Sequence, residues 1–154
     1  MESGFARRIF YQYHWRNEGY TSFEDFLARF TSKRRNSIKR EYSEIRKNGI
    51  EIRTARSDEL SRDPEFWART ADMLHQSTVE KLAWGRRWIN LDFYNLVLAR
   101  MPGQIEIVAA YRAGKIIAGA FNLATPTRLF GRYWGCLEEH PFLHFNVSLY
   151  HSIE

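Results

Sequence analysis

Residues 104–135, QIEIVAAYRAGKIIAGAFNLATPTRLFGRYWG, contain three apolar runs separated by two turn signals. Short runs rich in β-branched and aromatic residues, bounded by glycine or proline, are typical of strands joined by hairpins. The stretch therefore predicts an antiparallel meander at the centre of the fold. Its strands would cover 105–111, 116–124 and 129–135, with turns at Ala113-Gly114 and Pro126.

Helical signals precede this meander. Ser22 and Asn90 favour helix N-caps, Asp63-Pro64 favours a helix start, and Asn48-Gly49 favours a helix end. The alternation of apolar and polar residues over 50–54 predicts one further strand. The chain is therefore expected to be a mixed α/β (α+β) domain whose central antiparallel sheet is flanked by helices. The predicted helices span about 22–30, 33–47, 64–77 and 90–100.

The sequence after Pro141 predicts a last helix, on the apolar pattern of Phe142, Phe145, Leu149 and Ile153. No capping residue follows, and the chain stops at Glu154 within this pattern. We therefore expect a C-terminally truncated fragment that forms a single partial domain over 1–154. Such a fragment is expected to have little activity alone and to self-associate through an open sheet edge.

The composition of the 154 residues is that of a globular protein, with 44% hydrophobic, 16% aromatic and 27% charged residues. No apolar run approaches the roughly 20 residues that a membrane-spanning helix needs. Residues 11–17 are too polar for the apolar run of a secretory signal. The single cysteine, Cys136, cannot form an internal disulfide, so we expect a reducing, cytoplasmic location.

The net charge of +5 comes from one segment, residues 33–47. A local field of this kind attracts phosphate-bearing partners, but a solvated helix face carries the same pattern. We predict Lys33, Arg34, Arg35, Lys39 and Arg40 as polyanion-binding residues, with tRNA as a candidate partner.

Several chemistries lack support in the sequence. The fingerprints GxxxxGK[ST] and GxGxxG are absent, which argues against nucleotide hydrolysis and dinucleotide-dependent reactions. Cys136, His140 and His144 recur at every fourth residue, but Pro141 interrupts their spacing, so we expect no metal site. Polar and aromatic residues instead concentrate in a strand predicted over 128–139, whose glycines allow close approach of a ligand or another backbone. An ordinarily packed, bulged strand is the alternative.

Motifs across nearly the whole chain resemble one family. They are His14-Trp-Arg-Asn-Glu-Gly-Tyr20, Phe26-Leu27 with Ser32-Lys-Arg-Arg-Asn36, Lys81-Leu-Ala-Trp84-Gly85, Ile117-Ala-Gly-Ala-Phe-Asn122, Phe130-Gly-Arg-Tyr-Trp-Gly135 and Pro141-Phe-Leu-His-Phe145. Together they resemble the peptidoglycan biosynthesis/recognition proteins of the GNAT acyltransferase superfamily. Residues 32–49 are also similar to the basic helix of Fem-type aminoacyltransferases, which use aminoacyl-tRNA donors. The resemblance implies a GNAT-like acyl-CoA N-acyltransferase fold, incomplete in this chain.

The implied activity is transfer of an acyl or aminoacyl group to an amine, linked to peptidoglycan precursors. We predict His144 as the base, because neutral imidazole titrates near working pH, and Arg132 and Tyr133 as the catalytic residues that orient the substrate. Substrate contacts are expected from Lys81, Trp84, Trp134, Gly135 and Glu138.

The donor remains open between acyl-CoA and aminoacyl-tRNA, with no bound cofactor. Coenzyme A users of this superfamily usually hold the pyrophosphate on a basic, glycine-rich loop, whereas loop 136–142 contains Glu138 and Glu139 and no glycine. The chain also has Asn146 where the family usually shows a glutamate, so a base at that position is absent. The alternative function is a non-catalytic recognition module that binds cell-wall precursors or RNA through helix 33–47.

Overall fold

The computed structural model describes residues 9, 14–81 and 86–154. Four antiparallel strands form one sheet in the order β1-β2-β3-β4. Ala113 (φ 48°) and Gly114 (φ 75°) both take positive φ, which the favoured two-residue hairpin turn requires. The predicted meander is confirmed, and the strand predicted over 50–54 pairs with its first strand. The strands span Ile50–Arg56, Ile105–Arg112, Lys115–Thr125 and Arg128–Cys136.

Strand β4 contains a bulge. Its pairing with β3 shifts between Phe121, which faces Tyr133, and Asn122, which faces Gly131. Arg132 is therefore the extra residue of the bulge. The strand ends at Cys136, so the strand predicted over 128–139 was too long at its C-terminal end.

Helices α1 to α5 span Phe23–Ala28, Ser32–Lys47, Ser57–Arg62, Pro64–Lys81 and Leu91–Arg100, and the 3-10 turn Pro102–Gln104 leads into β2. The predicted caps are confirmed, because side-chain oxygens of Ser22, Asp63 and Asn90 accept backbone N–H groups at 3.0–3.2 Å. Helix α3 was not predicted, and α4 continues to Lys81 instead of ending near residue 77. Among the described residues, no helix is long and apolar enough to cross a membrane.

One face of the sheet, here called the α4 face, is covered by α3, α4 and α5. Helix α4 comes closest at two glycines. A Cβ atom on Gly135 would lie 1.8 Å from the carbonyl oxygen of Leu74, and one on Gly119 would lie 2.8 Å from Leu74 Cδ1. Backbone contact of this kind requires glycine in the strand.

The opposite face, here called the α6 face, is covered by α2 and by the C-terminal helix. That helix consists of Leu143–Phe145, a π-helical turn Asn146–Tyr150 and His151–Ile153; the whole segment 143–153 is called α6. Below it the strands present small side chains, among them Ala110, Ala118 and Ala120. Leu143 and Val147 fill the space over these alanines.

The helix predicted after Pro141 is confirmed, but the apolar pattern that indicated it is not the stripe that faces the sheet. Leu143 and Val147 are buried, whereas Phe142, Phe145 and Leu149 are exposed. Phe142 precedes the helix at φ 67° and does not follow its spacing. Two apolar stripes interleave on this segment, and the stripe with the smaller side chains fits closely over the alanines, where phenylalanines would overpack.

Helices α1, α2 and α6 meet in a separate apolar cluster that includes Phe26, Ile38 and Tyr150. The hydroxyl of Tyr150 donates a hydrogen bond of 2.6 Å to the buried carboxylate of Glu41. Ile38 and Ile45 face inward, as predicted. This packing fixes the rotation of α2, so its basic residues lie on the outer surface.

Candidate functional site

A groove opens where β4 ends, between the last turn of α4 and the first turn of α6. Its volume is about 320 Å³. We call it the β4 groove; it is lined by Thr78, Lys81, Trp134, Cys136, Glu139, His140, Leu143 and His144. Three of the predicted site residues, Lys81, Trp134 and His144, therefore share one groove.

Side chains of α4 hold the outer edge of β4 beside this groove. The hydroxyl of Ser77 accepts the N–H of Cys136 at 3.1 Å, and the hydroxyl of Thr78 donates to the carbonyl oxygen of Trp134. Lys81 Nζ donates to the carbonyl oxygen of Cys136 at 3.2 Å. These bonds satisfy polar groups of β4 that no strand pairs, so they position the floor of the groove. Thr78 could not be singled out from local sequence patterns, because its partner is distant along the chain.

Lys81 also forms an ion pair with Glu139, with Nζ and Oε1 2.8 Å apart. This hydrogen bond raises the pKa of Lys81 and lowers the pKa of Glu139. The pair places one positive and one negative charge at the rim of the β4 groove.

Glu138, predicted to contact substrate, lies on the loop beside the groove rather than in its lining. Hydrogen bonds from Arg112, at 3.1 Å, and His140, at 3.4 Å, lower the pKa of Glu138. Both carboxylates of the loop, Glu138 and Glu139, therefore stay ionised and are each paired with a basic side chain.

His144 is exposed at the mouth of the groove, where its ring centroid lies 4.9 Å from that of Trp134. Cys136 lies deeper, and burial raises the pKa of its thiol. The thiol donates to the carbonyl oxygen of Glu138 at 2.8 Å and remains protonated near neutral pH. The group available for proton transfer at the mouth is therefore the imidazole of His144 and not a thiolate.

The structure does not bring the predicted catalytic residues together. Tyr133 points to the α4 face, where its ring packs 4.2 Å from that of His75, and the guanidinium of Arg132 lies 5.7 Å from the centre of the Tyr133 ring. His144 lies on the α6 face. Successive side chains of a strand alternate between faces, so Tyr133 and Trp134 could not both line the groove.

Two predicted substrate contacts have other outcomes. Gly135 faces Leu74 of α4, and the close approach of that helix accounts for the glycine without a substrate. Trp84 lies outside the described residues. Among the described residues, no three histidine, cysteine, aspartate or glutamate side chains converge to hold a metal ion.

The predicted polyanion-binding residues of α2 form two groups. Arg35 donates from Nη1 to the carbonyl oxygens of Ala28 and Phe30, and Arg34 lies 3.9 Å from the buried Glu41 carboxylate. Arg35 therefore connects α2 to the end of α1, whereas Arg34 pairs within α2. The exposed cations of α2 without an ion pair to any described residue are Lys33, Lys39, Arg40, Arg46 and Lys47.

A four-stranded antiparallel sheet with helices on both faces, and a groove at the end of β4, is consistent with the α/β fold of GNAT-like acyltransferases. The chain matches the FemAB-like family, described as peptidoglycan biosynthesis/recognition, over residues 1–154 and belongs to that family. No curated protein sequence matches the chain. Family membership implies a role in peptidoglycan biosynthesis or recognition.

Proposed function

We propose that the β4 groove is the site of an N-acyltransferase that moves an acyl or aminoacyl group onto an amine of a peptidoglycan precursor. The observation that carries this proposal is the convergence of Lys81, Trp134 and His144 on one groove. The family's link to peptidoglycan biosynthesis supplies the class of acceptor.

In this reaction the amine nitrogen attacks the acyl carbon of the donor, and the bond from that carbon to the donor oxygen or sulfur breaks. The amine proton passes to His144 and then to the leaving group. Trp134 provides an apolar wall for the acyl chain, and Lys81 places a positive charge near the oxygen that becomes negative in the transition state. Arg132 and Tyr133, on the other face, are not assigned to this step.

We favour an aminoacyl-tRNA donor over acyl-CoA. A pyrophosphate is held by free backbone N–H groups. In loop 137–142, the N–H groups of Leu137 and Glu138 both donate to the carbonyl oxygen of Ile117, at 2.7 and 3.3 Å. Glu138 and Glu139 pair with Arg112, His140 and Lys81, so these basic side chains are engaged and are not free to hold a polyphosphate.

The test is transfer from a panel of donors, acyl-CoA thioesters and aminoacyl-tRNAs, to amine acceptors, with the product measured by mass spectrometry. His144→Gln should lower turnover by roughly 100-fold or more, because the general base is lost. The matched control is His14→Gln, which removes an exposed histidine far along the chain from the groove and should leave turnover unchanged. Equal turnover of the two variants would remove His144 from the mechanism.

We propose a second function, polyanion recognition through α2, on the evidence of its unpaired, exposed cations. Binding of tRNA should weaken steeply with salt, by roughly 0.7–0.9 in log affinity per log salt for each phosphate contacted. Changing Lys33, Lys39, Arg40 and Lys47 to glutamine should flatten that slope. The charge-matched control changes four exposed cations outside α2, which are Arg62, Arg100, Lys115 and Arg128. If both sets of substitutions flatten the salt dependence equally, a docking surface on α2 is contradicted.

A further inference from the structure

A second cavity of about 320 Å³ lies on the other side of α6 from the β4 groove. It is bounded by the C-terminal part of α2, the first residues of β1 and the π-helical turn of α6. We call it the β1 cavity; it is lined by Tyr42, Ile45, Arg46, Gly49, Ile50, Glu51, Ile52, Asn146 and His151. None of the residues that the structure describes lines both the β1 cavity and the β4 groove, so an inference from the cavity is independent of the proposed transferase.

The π-helical turn builds this cavity. In an α-helix, residues five apart point in different directions, whereas a π turn aligns them. The backbone N–H of His151 donates to the carbonyl oxygen of Asn146, and His151 Nδ1 lies 3.0 Å from the same oxygen. The wide turn thus places both side chains along one wall. Short π turns inside helices frequently occur at functional sites.

One polar atom buried at this cavity has no partner among the described residues. Asn146 is fully buried, and its Nδ2 donates to the carbonyl oxygen of Phe142 while Oδ1 accepts nothing. The buried hydroxyl of Tyr42 lies beside the carboxylate of Glu154. Unsatisfied buried polar groups are rare, and each calls for a ligand or an ordered water.

The polar atoms at the cavity include two acceptors, so they favour a ligand that donates hydrogen bonds. Asn146 Oδ1 is an acceptor. His151 Nδ1 faces a carbonyl oxygen and therefore bears the proton, which leaves Nε2 as a second acceptor. Burial raises the pKa of Tyr42, so its hydroxyl stays protonated and can donate or accept. An ammonium group satisfies acceptors of this kind.

Charge and ring geometry narrow the ligand further. Arg46 and Glu51 line the cavity, and the carboxylate of Glu51 is paired with Arg53. Glu154 is a further carboxylate near Tyr42 and His151. The Tyr42 ring stacks with the ring of Tyr150, at 5.5 Å, and with the ring of His151, at 5.4 Å. The cavity volume lies at the small end of the range for ligand sites.

We propose that the β1 cavity binds a small zwitterion, a free amino acid or short peptide. Its ammonium group donates to Asn146 Oδ1, with the Tyr42 hydroxyl beside it, and its carboxylate pairs with Arg46 at the rim.

The experiment is a chemical-shift titration of the ¹⁵N-labelled chain with alanyl-alanine. Saturable shifts of the Asn146 side-chain amide are expected. The N-acetylated dipeptide, which lacks the ammonium, and the dipeptide amide, which lacks the carboxylate, should each bind about tenfold more weakly. Absence of saturable shifts, or equal binding of the three probes, would overturn the proposal and leave water as the partner of Asn146.

Substitutions test which side chain makes each contact with the ligand. Tyr42→Phe keeps the ring packing and should weaken alanyl-alanine binding by severalfold. Arg46→Gln should weaken binding of alanyl-alanine by about tenfold while leaving binding of the dipeptide amide unchanged, because that probe has no carboxylate to pair. Lys47→Gln, the neighbouring exposed cation outside the cavity, is the matched control. If Lys47→Gln weakens binding as much as Arg46→Gln, the effect is one of net charge and the assigned contact is wrong.

Discussion

The two faces of the sheet are packed in different ways. On the α4 face, the backbone of α4 contacts the sheet directly at Gly135, and the side chain of Leu74 packs onto Gly119. On the α6 face, a helix with a π turn rests on alanines through Leu143 and Val147, and space remains on both of its sides. Both the β4 groove and the β1 cavity lie along α6. Close packing at Gly135 leaves no room for a ligand between α4 and the sheet at that point, whereas a helix held above small residues creates room at its flanks.

The largest expected effect tests the backbone contact on the α4 face. Gly135→Ala places a Cβ atom 1.8 Å from the carbonyl oxygen of Leu74, so α4 must move away. We expect a loss of at least about 3 kcal/mol in the free energy of unfolding, measured by denaturant titration. Gly131→Ala in the same strand is the control, because its nearest neighbour is Asn122 Oδ1 at 3.7 Å. Similar losses for both variants would show that β4 tolerates no side chain at either site.

The next effect tests which stripe of α6 faces the sheet. Leu143 is 1% exposed and Leu149 is 40% exposed. Leu143→Ala should cost about 2–4 kcal/mol of unfolding free energy, whereas Leu149→Ala should cost much less, because only the first leaves a cavity. The reverse order would restore the stripe of Phe142, Phe145 and Leu149 as the buried one.

A smaller effect tests how α4 holds the edge of β4. Thr78→Val keeps the side-chain shape but removes the hydrogen bond to the carbonyl oxygen of Trp134. We expect a loss of about 1 kcal/mol in thermal or denaturant unfolding. Thr125→Val removes a hydrogen bond to Arg128 in an exposed hairpin and should have less effect. If the Thr125 variant is the less stable one, the edge of β4 is not held by Thr78.

The smallest expected effect is a pH dependence of stability. It comes from two histidines, one on each face of the sheet. Burial lowers the pKa of His75 on the α4 face and of His151 on the α6 face. The unfolded chain therefore binds more protons just below the ordinary histidine pKa of about 6.5, and stability falls as the pH decreases through that value. For the wild type, the unfolding midpoint should decrease as the pH is lowered from 7 to 5.

Substitution of each histidine alone shows how much of this loss of stability comes from each face of the sheet. His75→Gln and His151→Gln should each reduce the decrease, because each removes one titrating group. The carboxylates with lowered pKa, among them Glu51, Glu138 and Glu139, titrate below this window. A decrease that neither variant reduces would have to come from other groups.

Local patterns accounted for most of the fold. Alternation over 50–54 and over 104–135 located the strands, and Ser22, Asp63 and Asn90 marked helix starts that the structure confirms. Helix α3 escaped prediction because six residues with one buried apolar side chain, Leu60, form no repeating stripe.

Only part of the candidate site could be predicted from the sequence. Lys81, Trp134 and His144 were singled out individually and lie in the same groove. The structure does not group His144 with Arg132 and Tyr133. Tyr133 points to the α4 face and His144 lies on the α6 face, and the face of a sheet to which a residue belongs depends on tertiary packing. Arg34 and Arg35 have the right charge for a polyanion, but contacts with Glu41, Ala28 and Phe30 engage them within the fold.

The sequence by itself determined the succession of helices and strands, the antiparallel meander and the concentration of charge on α2, because these follow from spacing and residue type within short windows. Tertiary structure alone decided which stripe of α6 is buried, where its π turn falls, and which side chains share the β4 groove or the β1 cavity. Two apolar stripes on one helix have similar local energies. The choice between them depends on the shape of the surface below, here a sheet of alanines that elements distant in sequence assemble.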